Sequence, residues 1–190
     1  MGEKETSRAA SDERSPSSVR TESKTGGSES EDLFVIASDV EAIAPAVDSV
    51  VAVIRRAGCI PGKESDVEIA LFEALANAVV HGNGQDRSKK VEIRCRCVPN
   101  KDVSITVKDQ GNGFDPSKVP DPTAAENLEA EHGRGILMMK TFMDEVHFKR
   151  GGTEVQMRKN SNQPPSPRGI RRLWEAIQNS GKRIFGLRGI

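Results

Sequence analysis

The sequence predicts an α+β fold: a two-layer sandwich in which a mixed or antiparallel sheet is backed by helices on one face. Three observations lead there. Short segments alternate apolar and polar residues with the period of strands. The later ones come in pairs joined by brief Gly, Asn and Pro turns, which makes each pair antiparallel. Between the pairs lie segments whose apolar residues recur with helical spacing.

The elements follow in order. Residues 1–32 are mostly Ser, Glu, Lys, Arg, Thr and Gly, with too little apolar surface to offset the entropy of ordering, so a disordered tail is expected. "LFVIAS" at 33–38 reads as the first strand. A helix capped by Ser38 or Asp39 should follow, its apolar face made by Val40, Ile43, Val47, Val50, Val51 and Ile54. Pro45 is expected to kink or restart it, and Gly58 to end it. "SDVE" at 65–68 has the spacing of a capping box and should open a helix running to Gly82 or Asn83. "VEIRCRCV" and "DVSITVKD" form a hairpin, with Val91, Ile93, Cys95 and Cys97 on one face of its first strand. A Gly, Asn, Pro and Asp-rich loop comes next, then an apolar helix from near Gly133 to near Met143, then a second hairpin turning at Gly151-Gly152. The predicted domain spans 33–159. A linker and a basic segment occupy 160–190.

Composition narrows the function classes. The 190 residues amount to one domain with tails. Basic and acidic residues balance at 28 each, which gives no signal for nucleic acid, and no direct nucleic-acid partner is expected. Three cysteines make no even disulfide set, and with three histidines they fall short of a zinc site. Cys95 and Cys97 therefore read as small buried hydrophobes. No segment approaches the ~20 apolar residues that span a bilayer, and no leader pattern opens the chain. A cytoplasmic, reduced, soluble protein is expected.

Three segments carry candidate chemistry. In "EALANAVVHGN", Glu73 and Asn77 lie one turn apart on a helix face separate from the Val67, Leu71, Ala74 and Ala78 stripe. An amide oxygen is a hard ligand that suits Mg²⁺, and a carboxylate can accept a proton from a hydroxyl. From spacing alone, a polar edge on a half-buried helix explains the pair as well. In "DQGNGF", Asp109 ends a strand, where its carboxylate can accept from an amino group such as adenine's. Gly111 and Gly113 permit close backbone approach. In "HGRGILMMK", Gly133, Arg134 and Gly135 open a helix whose free N–H groups and dipole suit an anion. Each Gly motif alone reads equally as a turn or a cap. The G-x-x-x-x-G-K-[ST] loop is absent, which excludes a P-loop architecture.

In this order, the three segments resemble the N, G1 and G2 boxes of the GHKL ATPases. "FMDEV" and the short spacing between boxes are similar to the anti-sigma-factor serine/threonine kinases. The resemblance implies the Bergerat ATP-binding fold and Mg-ATP as ligand. It implies Glu73 as catalytic base, Asn77 as Mg²⁺ ligand, and Asp109 at the adenine amino group. It places Gly111 and Gly113 at the adenine and ribose wall, Gly133, Arg134 and Gly135 at the phosphates, Thr153 near adenine, and a lid at 115–132. His81 either completes the phosphate end or simply meets the helix dipole. The resemblance further implies transfer of phosphate to an anti-anti-sigma (STAS-like) protein, sequestration of a sigma factor, and a homodimer. An ATP-gated binding switch and a detached histidine-kinase ATPase domain are the alternatives. The latter would want a preceding helix with a phosphoacceptor histidine, which this sequence does not show.

Residues 168–190 stand outside the resemblance. They carry Arg168, Arg171, Arg172, Lys182, Arg183 and Arg188 against Glu175. Ile170, Leu173, Trp174 and Ile177 recur at helical spacing. A membrane surface, a partner contact and a plain tail all fit.

Overall fold

The computed structural model describes residues 20–26, 29–115 and 134–162. A 6-stranded sheet in the order β1-β2-β3-β4-β6-β5 is antiparallel at every pairing. Its strands are β1 Arg20–Gly26, β2 Glu29–Ala37, β3 Lys90–Val98, β4 Asp102–Lys108, β5 Glu145–Lys149 and β6 Glu154–Asn160. The helices are α1 Ile43–Ala57, α2 Glu64–Ala76 and α3 Arg134–Phe142. The predicted α+β sandwich is the observed one.

The strand period decides which face is covered. Phe34 and Ile36 on β2, Val91, Ile93, Cys95 and Cys97 on β3, Val103, Ile105 and Val107 on β4, and Val155 and Met157 on β6 are all buried. They meet Val50 and Ile54 of α1 and Val67, Leu71 and Leu75 of α2. Each large side chain fully removed from water contributes about 1.5–3 kcal/mol. The alternate residues Arg94 and Arg96 are exposed on the opposite face.

Several expectations need correction. The sheet starts earlier than residue 33: β1 and the first residues of β2 lie within the segment expected to be a disordered tail. "RTESKTG" has no apolar pattern to read, and its place in the sheet rests on backbone pairing to β2. Pro45 neither kinks nor restarts α1. A 3-10 turn at Val40–Ala42, capped by Asp39 accepting from the Glu41 N–H, leads into α1, and Pro45 falls in the first turn, where its missing N–H costs nothing. No capping box forms at Ser65: Lys63 is the N-cap and makes no side-chain cap bond. Gly58 does end α1, in the left-handed conformation. Cys59 and Cys97 form a disulfide, with Cα atoms 5.5 Å apart across 38 residues of sequence. Counting cysteines could not show that the turn after α1 brings Cys59 under β3. Cys95 is a buried thiol as expected, and burial, with Asp32 nearby, pushes it up to about 12.

A buried cation ties the second hairpin to the helices. The Lys159 ammonium, in β6, pairs with Asp66 at 2.7 Å and donates to the Phe142 carbonyl at 2.7 Å. Asp144, in "FMDEV", accepts from the Asn160 N–H at 2.7 Å. The start of α2, the end of α3 and β6 are thereby held at one point. The expected lid beyond Asp115, Gly133, and the basic segment 168–190 lie outside the described residues, as do residues 1–19.

Candidate functional site

α2 supplies the first wall. Val67, Leu71, Ala74 and Ala78 are buried on the sheet, which leaves Glu73 and Asn77 half-buried on the flank. From Asn77 to Gly82 the helix widens into a π turn. The Asn83 N–H donates to the Ala78 carbonyl, five residues back, at 2.8 Å. Such turns concentrate at functional sites. Glu73, Asn77, His81 and Gly82 all line a cavity of about 450 Å³. Burial pushes the Glu73 carboxyl above its usual range.

The end of β4 supplies the second wall. The Asp109 N–H donates to the Thr153 carbonyl at 3.0 Å, which fixes the residue against β6. The Asp109 carboxylate accepts from the Gly111 N–H at 2.8 Å and is only 9% exposed. Burial pushes it up, opposed by that hydrogen bond and by the charge of Lys89. The glycines here are required by space. A Cβ on Gly82 would stand 2.7 Å from the Asp109 Cγ, and one on Gly111 would run into the Gly82 carbonyl. Gly113 lines the cavity at φ +73. Gly111 does not line it; it holds the turn closed behind Asp109.

α3 supplies the third wall. Arg134 and Gly135 of its first turn line the cavity, with Ile136 and Met139 below them. A Cβ on Gly135 would lie 2.8 Å from Glu73 Oε2 and 3.3 Å from Asn77 Nδ2. The start of α3 thus rests directly on the polar flank of α2. Thr153 sits beside Gly113 and Asp109. It is absent from the cavity wall, its hydroxyl donates to the Arg150 carbonyl at 3.1 Å, and its own carbonyl holds Asp109.

Some residues of the site gave no signal that was read in the sequence. Phe114 and Phe148 both line the cavity and meet edge to face, with ring centroids 5.5 Å apart. Phe114 stood within "DQGNGF", and a large apolar residue in a polar glycine loop was the available clue. Asn83, 3% exposed, clamps the two polar loops together. Its Oδ1 accepts from the Gln110 N–H at 2.8 Å and its Nδ2 donates to the Lys90 carbonyl at 3.1 Å. Asn83→Ala is expected to destabilise the fold by about 1–3 kcal/mol, because it removes two hydrogen bonds of about 0.5–1.5 kcal/mol each. Urea titration of the variant, read at constant slope, checks it.

The cavity has apolar walls from Val107, Val155, Ile136 and Phe148, one buried carboxylate at its base, and a helix N-terminus beside an Asn and a Glu. A ligand with a flat, amino-bearing end and an anionic end fits that division. Residues 36–159 match the sequence model of the histidine kinase-like ATPase domain. The chain belongs to that family. As a histidine kinase-like ATPase domain it binds ATP. The chain is 36% identical over 101 residues to the anti-sigma F factor of Clostridium novyi (strain NT), across 50% of this chain and 69% of that protein. It is 36% identical over 104 residues to the anti-sigma F factor of Clostridium perfringens (strain SM101 / Type A), across 52% and 73%. It is 34% identical over 104 residues to the serine-protein kinase RsbW of Bacillus subtilis (strain 168), across 51% and 64%. Among the described residues of this ATPase domain, no helix is long and apolar enough to cross a membrane.

Proposed function

We propose that this histidine kinase-like ATPase is a serine/threonine protein kinase that transfers the γ-phosphoryl group of ATP to an anti-anti-sigma protein of the STAS kind and also holds a sigma factor. The observation that carries the proposal is the seat of Gly135 against Glu73 and Asn77, which sets a candidate phosphate-binding helix N-terminus beside a candidate base. The names of the relatives supply the partners.

In this reading Asp109 accepts a hydrogen bond from the adenine amino group. Phe148, Val107 and Val155 exclude water around the base. The N–H groups of α3 and the Arg134 guanidinium meet the phosphates. Mg²⁺, when bound, neutralises phosphate charge, and the Asn77 amide oxygen is the protein ligand that would hold it. Among the described residues no group of three or more His, Cys, Asp or Glu is placed to hold a metal ion. A single amide fits an ion that keeps most of its waters and takes the rest of its ligands from phosphate. Glu73 takes the proton of the substrate hydroxyl as its oxygen bonds to the γ-phosphorus. The bond to the β-phosphate oxygen breaks, and ADP leaves. Glu73 is the cavity carboxylate seated against Gly135 at the start of α3, and burial raises its pKa toward that of a useful proton acceptor.

Asn77→Ala is expected to abolish the gain in nucleotide affinity that Mg²⁺ gives while leaving metal-free ADP binding in place. Calorimetry with and without Mg²⁺ reads both quantities. Incubation with [γ-³²P]ATP and candidate STAS-like antagonists tests the function itself. An acid-stable, base-labile label on the antagonist is the expected product. An acid-labile label would make the protein a histidine-kinase ATPase domain. No label despite intact ATP binding would leave an ATP-gated switch.

A further inference from the structure

Three large apolar side chains are prominently exposed among the described residues: Val40, Phe72 and Phe114. Phe114 belongs to the cavity mouth and Val40 to the turn before α1. Phe72, 47% exposed, sits on the outward face of α2 with no role in either the core or the cavity. Ile69, three residues before it, is partly exposed beside it, and Ala76, four after, continues the apolar stripe to where it meets the cavity wall. The flank of the stripe is acidic, with Glu68 exposed and Glu64 half-exposed.

We propose that residues 168–178 of the same chain dock on this stripe. Two observations select that occupant. The first is where β6 delivers the chain. The Asn160 carbonyl accepts from the Lys63 ammonium at 3.0 Å, and Lys63 is the N-cap of α2. The segment beyond residue 162 therefore starts at the end of α2 that carries Glu64. Phe72 lies about 12 Å further along the helix, at ~1.5 Å per residue. Residues 163–167, rich in Pro, reach up to roughly 16 Å at ~3.1 Å per residue. The second observation is complementarity. Ile170, Leu173, Trp174 and Ile177 match an apolar stripe of this length, and Arg168, Arg171 and Arg172 match Glu64 and Glu68. α2 also carries Glu73 and Asn77, so the docked segment braces the helix that forms the first wall of the site.

Trp174 is the chain's single tryptophan, so its fluorescence reports on this segment alone. In the full chain its emission is expected to be blue-shifted from that of the denatured chain and shielded from acrylamide, independently of protein concentration. Phe72→Asp is expected to shift the emission to the red and open it to quencher. Glu68→Arg is expected to do the same, and Arg171→Glu with Arg172→Glu added to that variant is expected to restore shielding. Circular dichroism of each variant confirms that the domain stays folded. A wild-type emission equal to that of the denatured chain overturns the proposal. So does shielding that grows with protein concentration, which would mean a second copy. So does shielding that appears only with anionic phosphatidylserine vesicles, and so does shielding that survives both Phe72→Asp and Glu68→Arg.

Discussion

Glu73→Gln is expected to slow phosphoryl transfer by at least ~10²-fold while leaving Mg-ATP affinity nearly unchanged. The amide keeps the shape of the carboxyl and its contact with the start of α3, so positioning survives. Only the proton acceptor is lost. Single-turnover transfer to the antagonist, set beside calorimetric binding, separates the two quantities. The pH dependence gives a second reading. A base works deprotonated, so the rate rises with pH as Glu73 loses its proton. Burial moves that rise above the ordinary carboxylate range. The rise should vanish in Glu73→Gln. Transfer at the wild-type rate in that variant would remove Glu73 from the chemistry and favour a binding switch.

Asp109→Asn is expected to weaken ADP binding by about ten- to a hundred-fold, the equivalent of a charge-assisted hydrogen bond worth roughly 1.5–3 kcal/mol. Oδ1 remains to accept from Gly111, so the turn keeps its closure. The other position becomes an NH₂ that faces the donor it should accept from. The fold itself should not suffer, because burial already disfavours the Asp109 charge and the neutral amide removes that cost. Calorimetry with ADP on the folded variant decides. Affinity equal to that of the unchanged chain would withdraw Asp109 from adenine recognition.

The sandwich was legible because burial writes a period into the sequence. Val91, Ile93, Cys95 and Cys97 alternate because one face of β3 meets helices and the other does not. β1 stayed hidden because an edge strand held by its backbone leaves no such period. The candidate residues Glu73, Asn77, Asp109, Arg134, Gly113 and Gly135 could be named from short motifs, and they line one cavity. Their neighbours could not. Phe148 joins the wall from a hairpin distant in sequence, and Asn83 matters only because two loops converge on it. Cys59 and Cys97 illustrate the same limit: pairing across 38 residues depends on where α1 ends in space. Thr153 was expected near adenine, and its carbonyl accepts from the Asp109 N–H while its hydroxyl donates to the Arg150 carbonyl.

The widened turn at Asn77–Gly82 stands between the candidate base and the loop clamp. Leu75, Val79 and Asn83 follow one another at four-residue steps, ~40° apart at ~100° per residue. Leu75 and Val79 are 0% exposed and Asn83 is 3% exposed. Upstream of the turn α2 keeps Glu73 and Asn77 at the cavity, and downstream of it Asn83 meets the Gln110 N–H and the Lys90 carbonyl. The register between the candidate base and the loop clamp is set by residue count, so a single deletion between Asn77 and Gly82 would misalign them while removing neither.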